Sequence, residues 1–145
     1  MKKIIILTIL FASILKATNP QSNVTAVTTK GKTNAYHFLV TLESDETGCD
    51  QYTDWWEVLS EKGDLLYRRI LLHSHTNQQP FTRSGGYVKI KKDDIVYIRA
   101  HMNKLGYVGD IFKGSVESGF EKVEEAPTFN KSIESQAPLP SGCLY

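Results

Sequence analysis

The sequence has no apolar run long enough to cross a bilayer: its longest, Ile4 to Leu15, covers twelve residues, against the roughly 20 that a spanning helix needs. It has only two cysteines, too few for a disulfide-dense scaffold. It lacks Gly-x-Ser-x-Gly, a phosphate-binding Gly-rich loop, His-Glu-x-x-His and zinc-ribbon spacing, so the common nucleophile, nucleotide and metalloprotease motifs are excluded. No stretch longer than about ten residues keeps a 3.6-residue apolar period, which excludes a helical bundle. A strong excess of one charge is also missing, with 17 basic and 16 acidic residues.

What is present begins with Lys2 and Lys3 ahead of that apolar run, the pattern of a secretory signal over residues 1–17. Cleavage after Ala17 leaves Leu15 where a small residue is preferred, so an uncleaved anchor is the competing expectation. Removal of 1–17 lowers the basic count from 17 to 14 against 16 acids, a net charge of −2. The one basic cluster, Lys89, Lys91 and Lys92, is too small for a nucleic-acid or anionic-membrane footprint. The expected product is a secreted or periplasmic monomer with no transmembrane segment in its mature form. In that oxidising setting Cys49 and Cys143 are expected to pair, closing a long loop.

The mature region reads as one domain. Residues 18–34 are a Thr- and Asn-rich leader or edge strand, 35–126 the body, and 127–145 a Pro-rich, irregular tail tied back by the disulfide, with a helical turn near 129–133. Tyr36, Phe38, Val40 and Leu42 alternate with their neighbours as in a strand with one buried face. Trp55 to Ser60 and Leu65 to Leu72 flank Glu61-Lys62-Gly63-Asp64, a hairpin signal. A second hairpin is expected between Tyr87 to Lys91 and Ile95 to His101, and Ile111 to Val116 supplies a last strand, bulged at Gly114. Strands every ten to fifteen residues predict an all-β antiparallel sandwich or barrel.

The Trp-bearing strand and the later IVYIRAH strand give residues 35–116 a resemblance to an immunoglobulin-like or fibronectin-type β-sandwich. The departure is that Cys143 lies far beyond the last strand, so the Cys-Trp-Cys spacing of antibody-type domains is absent. CDQYTDWWE and HSHTNQQPFTRSGG are also similar to local signatures of a family of small exported bacterial proteins, a similarity that implies no particular activity.

Three groups of residues carry candidate chemistry. Trp55, expected to face outward while Trp56 faces the core, would share a sheet surface with Tyr67, Arg69, Tyr97 and Arg99, suited to a glycan or protein contact. The competing expectation is that Arg–aromatic stacking and Glu57 pairing simply cover that face. The long segment His73 to Gly86 is expected to be a loop in which Arg83 can clamp an anionic group and the amides of Asn77, Gln78 and Gln79 can read hydroxyls. His73 and His75 share one side of an extended chain and, if His101 lies nearby, could hold zinc or copper with Asp110 as a fourth or outer group. Asp50, Asp54 and Glu57 lack a spacing that assigns acid and base roles, so a non-enzymatic binding or structural module is expected.

Overall fold

The computed structural model describes residues 18–144; the signal-like stretch 1–17 lies outside them. Eight strands follow in chain order: β1 Ser22–Lys32, β2 Ala35–Ser44, β3 Thr53–Ser60, β4 Leu65–Ile70, β5 Phe81–Val88, β6 Val96–Met102, β7 Phe112–Ser115 and β8 Gly119–Lys122. They form two antiparallel sheets, β1-β2-β5 and β4-β3-β6-β7-β8, packed as a sandwich.

The period-two pattern of β2 explains its place at the centre of the smaller sheet. Tyr36, Phe38, Val40 and Leu42 are buried and the residues between them are not. Their inward face meets Trp56 and Val58 of β3 and Val96, Ile98 and Ala100 of β6 in one apolar core. Removing such side chains from water is the main favourable term holding the two sheets together.

The β3–β4 hairpin turns where Glu61 to Asp64 predict it, the Ser60 hydroxyl accepting from the Asp64 amide at 3.0 Å. The second expected hairpin does not form. Residues 81–88 pair with β2, and the chain then crosses to the other sheet to enter β6. The pleat of β5 is broken between Gly85 and Val88, where the register against β2 shifts, and this break hides the strand in the sequence. Gly86, at φ 137°, is required there: a Cβ would lie 2.6 Å from the Tyr36 carbonyl oxygen. The long loop expected from His73 to Gly86 therefore ends at Pro80.

Strands β3 and β6 differ from β2, because every β6 residue and all of β3 but Ser60 are buried. Strands buried on both faces need a layer on each side. One layer is the β1-β2-β5 sheet, and the tail supplies the other. Ile133, in a short 3-10 turn over Lys131–Ser135, joins Leu59, Tyr97 and Ile111 in a second apolar cluster, with Phe129 packed against it. Asn130 caps the turn, its Oδ1 accepting from the Ser132 amide at 3.0 Å. Beyond it, the Leu144 amide donates to the Leu72 carbonyl at 2.7 Å. A disulfide joins Cys143 to Cys49, with Cα atoms 5.5 Å apart.

Candidate functional site

On the outer face of β3, β4 and β6, register decides which charges meet. Glu57 lies opposite Arg68 of β4 on one side and Arg99 of β6 on the other. Its side chain is 0% exposed and takes an arginine on each oxygen: Arg68 Nε donates to Oε2 at 2.8 Å and Arg99 Nε to Oε1 at 2.8 Å. Arg68 also donates to the tail, its Nη2 to the Ile133 carbonyl at 2.7 Å and its Nη1 to the carbonyls of Gln136 and Pro138, while Nη2 reaches the Tyr107 hydroxyl at 3.5 Å. One planar guanidinium thus fastens the tail to the sheet through hydrogen bonds from a charged donor. Arg99 lies under Tyr107, 3.4 Å from the ring centre, and 4.7 Å from that of Phe129. Burial, and then the nearby Glu57 carboxylate, push the Tyr107 hydroxyl up to about 12.

At the next position along this face Trp55 lies opposite His101, and the two rings stack 3.5 Å apart. His101 Nδ1 bonds Asp54 Oδ1 at 2.6 Å and its Nε2 bonds Glu134 Oε1 of the tail at 3.1 Å. Trp55 is 3% exposed: His101 stacks on its ring, Arg68 lies 4.5 Å from its ring centre and Tyr107 meets it edge-on, and Arg68 and His101 are in turn bonded to the tail.

The opposite situation holds at the end of the sandwich, in the link between β4 and β5. His73, Ser74, His75, Thr76, Asn77 and Gln78 line a concavity of about 420 Å³. The His73 and His75 rings lie 4.7 Å apart between centres, and His75 stacks on Phe81 at 3.9 Å. His75 is 3% exposed and neither ring nitrogen has a hydrogen-bond partner. Its position is fixed through the backbone, because the His75 amide donates to Glu46 Oε2, while Glu46 Oε1 accepts from the Ser44 hydroxyl at 3.2 Å and the Thr53 amide at 3.1 Å. Burial, then the charges of Arg83 and His73, lower the His75 imidazole to about 4 and keep it neutral near neutral pH.

Comparison with known proteins adds one relative. A provisionally named lipoprotein of Halomicrobium mukohataei is 40% identical over 94 residues, which are 64% of this chain and 46% of that protein. The chain spans about half the length of the relative it matches. No family model matches the sequence, and no solved structure matches it.

The structure distributes the sequence-derived candidates over three places. Trp55, Tyr97, Arg99 and His101 share the outer face of the larger sheet, but beneath the tail and not in solvent. Tyr67 and Arg69 do not join them. Tyr67 pairs with Val58 and packs against Trp56, with ring centres 5.7 Å apart, while exposed Arg69 donates from Nε to the Ser84 carbonyl at 3.1 Å. A register shift between Val58 and Leu59 puts Arg68 opposite Glu57.

The three-histidine metal set is likewise not assembled, because both nitrogens of His101 are taken by Asp54 and Glu134, and Asp110 pairs with Lys122 at 2.8 Å. Among the described residues no group of three or more His, Cys, Asp or Glu is placed to hold a metal ion. Arg83 is partly exposed, beside the histidine pair and 5.4 Å from the Phe81 ring centre. Sequence reasoning missed Arg68 and Glu46. An arginine beside the expected Arg69 was visible, but Glu46 in a polar turn gives no signal of its burial.

Proposed function

We propose that this chain is an exported, non-enzymatic binding module that recognises a protein or glycan through the concave end formed by residues 73–78 and neighbouring Arg83. The carrying observation is the contrast between the two candidate surfaces. The tail closes the Trp55 face with side-chain and backbone bonds, whereas the loop end leaves a polar hollow of about 420 Å³ lined by residues 73–78. Ser74, Thr76, Asn77 and Gln78 present both donors and acceptors, the set needed to read hydroxyls or peptide groups.

Export is supported by the signal-like residues 1–17, by the disulfide, which persists in oxidising compartments, and by the lipoprotein name of the relative. Among the described residues no helix is long and apolar enough to cross a membrane.

The test is a glycan and peptide panel probed with the disulfide-intact protein, followed by nuclear magnetic resonance titration of any hit. Amide shifts are expected at 73–78, with affinity reduced about tenfold or more, roughly 1.4 kcal/mol, in an Asn77→Ala/Gln78→Ala variant. Shifts centred on Trp55 and the tail, or a variant that binds every hit as tightly as the parent, would overturn the reading.

A further inference from the structure

In a sandwich the inward-facing positions of a strand are ordinarily apolar, and two edge strands here break that rule side by side. Arg69 of β4 stands opposite Trp56, and Arg83 of β5 opposite Val40, both partners being buried in the core. Directly opposed residues share a face, so the two arginines point inward from the two sheets. They do so at the seam between β4 and β5, which Arg69 bridges by donating from Nε to the Ser84 carbonyl at 3.1 Å. The chain has four arginines. Arg68 and Arg99 share Glu57, but among the described residues no carboxylate forms an ion pair with Arg69 or Arg83.

The seam holds a cleft of about 90 Å³, bordered by both arginines, by His73 and His75 and by Leu71 and Leu72, with no Asp or Glu in its lining. That is room for several water molecules, and so for one small acidic group. The positive charge is felt inside the cleft, since after burial it is Arg83 that does most to lower the His75 imidazole. A guanidinium without a carboxylate of its own attracts an oxyanion and can hold it through paired N–H donors. His73 and His75 also border the larger hollow of residues 73–78, so the cleft and the hollow adjoin.

From this arrangement we propose that the β4–β5 seam binds the acid group of an anionic saccharide, a carboxylate or a sulfate, between the guanidinium groups of Arg69 and Arg83, while the adjoining hollow reads the sugar hydroxyls. This subsite rests on the reading of the loop end as the recognition surface and names the class of ligand which that end takes. A saccharide suits the hollow better than an acidic peptide. Ser74, Thr76, Asn77 and Gln78 offer hydroxyl and amide groups there, and no aliphatic or phenyl side chain lines it to anchor a peptide. The arginines supply the charge, and the hydroxyl and amide groups orient the ring that carries it.

The test is nuclear magnetic resonance titration of disulfide-intact protein with a uronate oligosaccharide, its carboxyl-reduced neutral counterpart, a sulfated oligosaccharide of the same length and an oligoglutamate peptide. An acidic sugar is expected to shift the side-chain Nε–Hε signals of Arg69 and Arg83 together with the amides of 73–78. It should bind ~10-fold or more tighter than the neutral counterpart, the difference that a hydrogen-bonded charge makes. Raising the salt concentration should weaken it. The order of the uronate and sulfated sugars tells which acid group the seam prefers.

Arg69→Gln and Arg83→Gln should each weaken binding of the acidic sugar ~10-fold or more, while Lys89→Gln, just past the far end of β5, leaves it unchanged. Circular dichroism checks that the variants fold, and Arg83→Gln decides the matter if loss of the Ser84 contact unfolds Arg69→Gln. Equal affinity for the acidic and neutral sugars, an Arg83→Gln protein that binds the acidic sugar as tightly as the parent, or a preference for oligoglutamate over both acidic sugars overturns the proposal. The same titrations separate it from the reading it rests on. Ligands that engage 73–78 with no regard to an acid group or to either arginine remove the anion subsite alone. Acidic sugars that shift Arg69 and Arg83 while nothing engages 73–78 remove the recognition surface and leave the anion cleft, and no shift with any ligand overturns both.

Discussion

Arg68 and Glu57 face each other across the β3–β4 hairpin, Nη2 to Oε2 2.7 Å apart, with neither side chain exposed. Arg99 completes the group from β6, so two cations surround one anion beneath the tail. The gain from each contact is offset by the cost of removing the charges from water, and such a group adds little net stability over a well-packed apolar substitute. Its consequence is positional. The donors Arg68 has left after binding Glu57 match the carbonyls of Ile133, Gln136 and Pro138, fixing where the tail lies.

Loss of Glu57 alone leaves two buried guanidinium groups without their carboxylate. Glu57→Gln is expected to destabilise the fold by about 3–5 kcal/mol, the range for removing one member of a buried ion pair. Replacing all three charged residues by apolar ones of similar size should cost less than that single change. Urea unfolding of the variants measures both; a Glu57→Gln protein with the parent's midpoint and slope contradicts this account of the cluster.

Much of the sandwich was legible because β2 has one wet and one dry face, and because Glu61 to Asp64 form a turn of ordinary chemistry. Strand β5 was not, since Gly85 and Gly86 interrupt its alternation where the register shifts. The closed outer face was unreadable for a different reason: its residues on β3 and β6 include Glu57, Arg99 and His101, types that normally mark solvent. What buries them is a tail whose apolar content over the cluster is little more than Phe129 and Ile133. The choice between Arg68 and Arg69 depended on a register shift of one residue, which no composition rule supplies.

Tyr107 links this cluster to pH. Its hydroxyl is pushed from 10.0 to about 12, first by burial and then by Glu57, so the folded state holds a proton that the unfolded chain releases at lower pH. Between those values the unfolded state binds fewer protons, and stability falls as pH rises. The contribution is complete below about pH 10 and lost as pH climbs through about 12. Denaturant midpoints across that window should decline in the parent, with a shallower decline in Tyr107→Phe. Burial, then Asp54 and Glu46, also push the Tyr52 hydroxyl upward, so tyrosinate absorbance should show late-titrating hydroxyls in both proteins, with one fewer in the variant. Equal slopes in the two proteins exclude Tyr107 as the source.

The disulfide and the Arg68 contacts hold the tail at separate points, and their energetics differ. Cys49 and Cys143 are 94 positions apart, so their bond restricts the unfolded chain strongly, by about 4–5 kcal/mol in the chain-entropy description. Arg68, Ile133 and Glu134, by contrast, act only in the folded state. A Cys49→Ser/Cys143→Ser variant should therefore lose several kcal/mol of global stability while its tail still covers Trp55 under native conditions. Urea midpoints read the first effect. Acrylamide quenching of tryptophan fluorescence reads the second, since Trp55 packs against Arg68 and His101, the two residues that the tail bonds, and Trp56 lies in the core. A lowered midpoint with quenching close to that of the parent is expected; quenching that rises sharply in native buffer shows instead that the covalent link, and not the Arg68 carbonyl contacts, keeps the outer face closed.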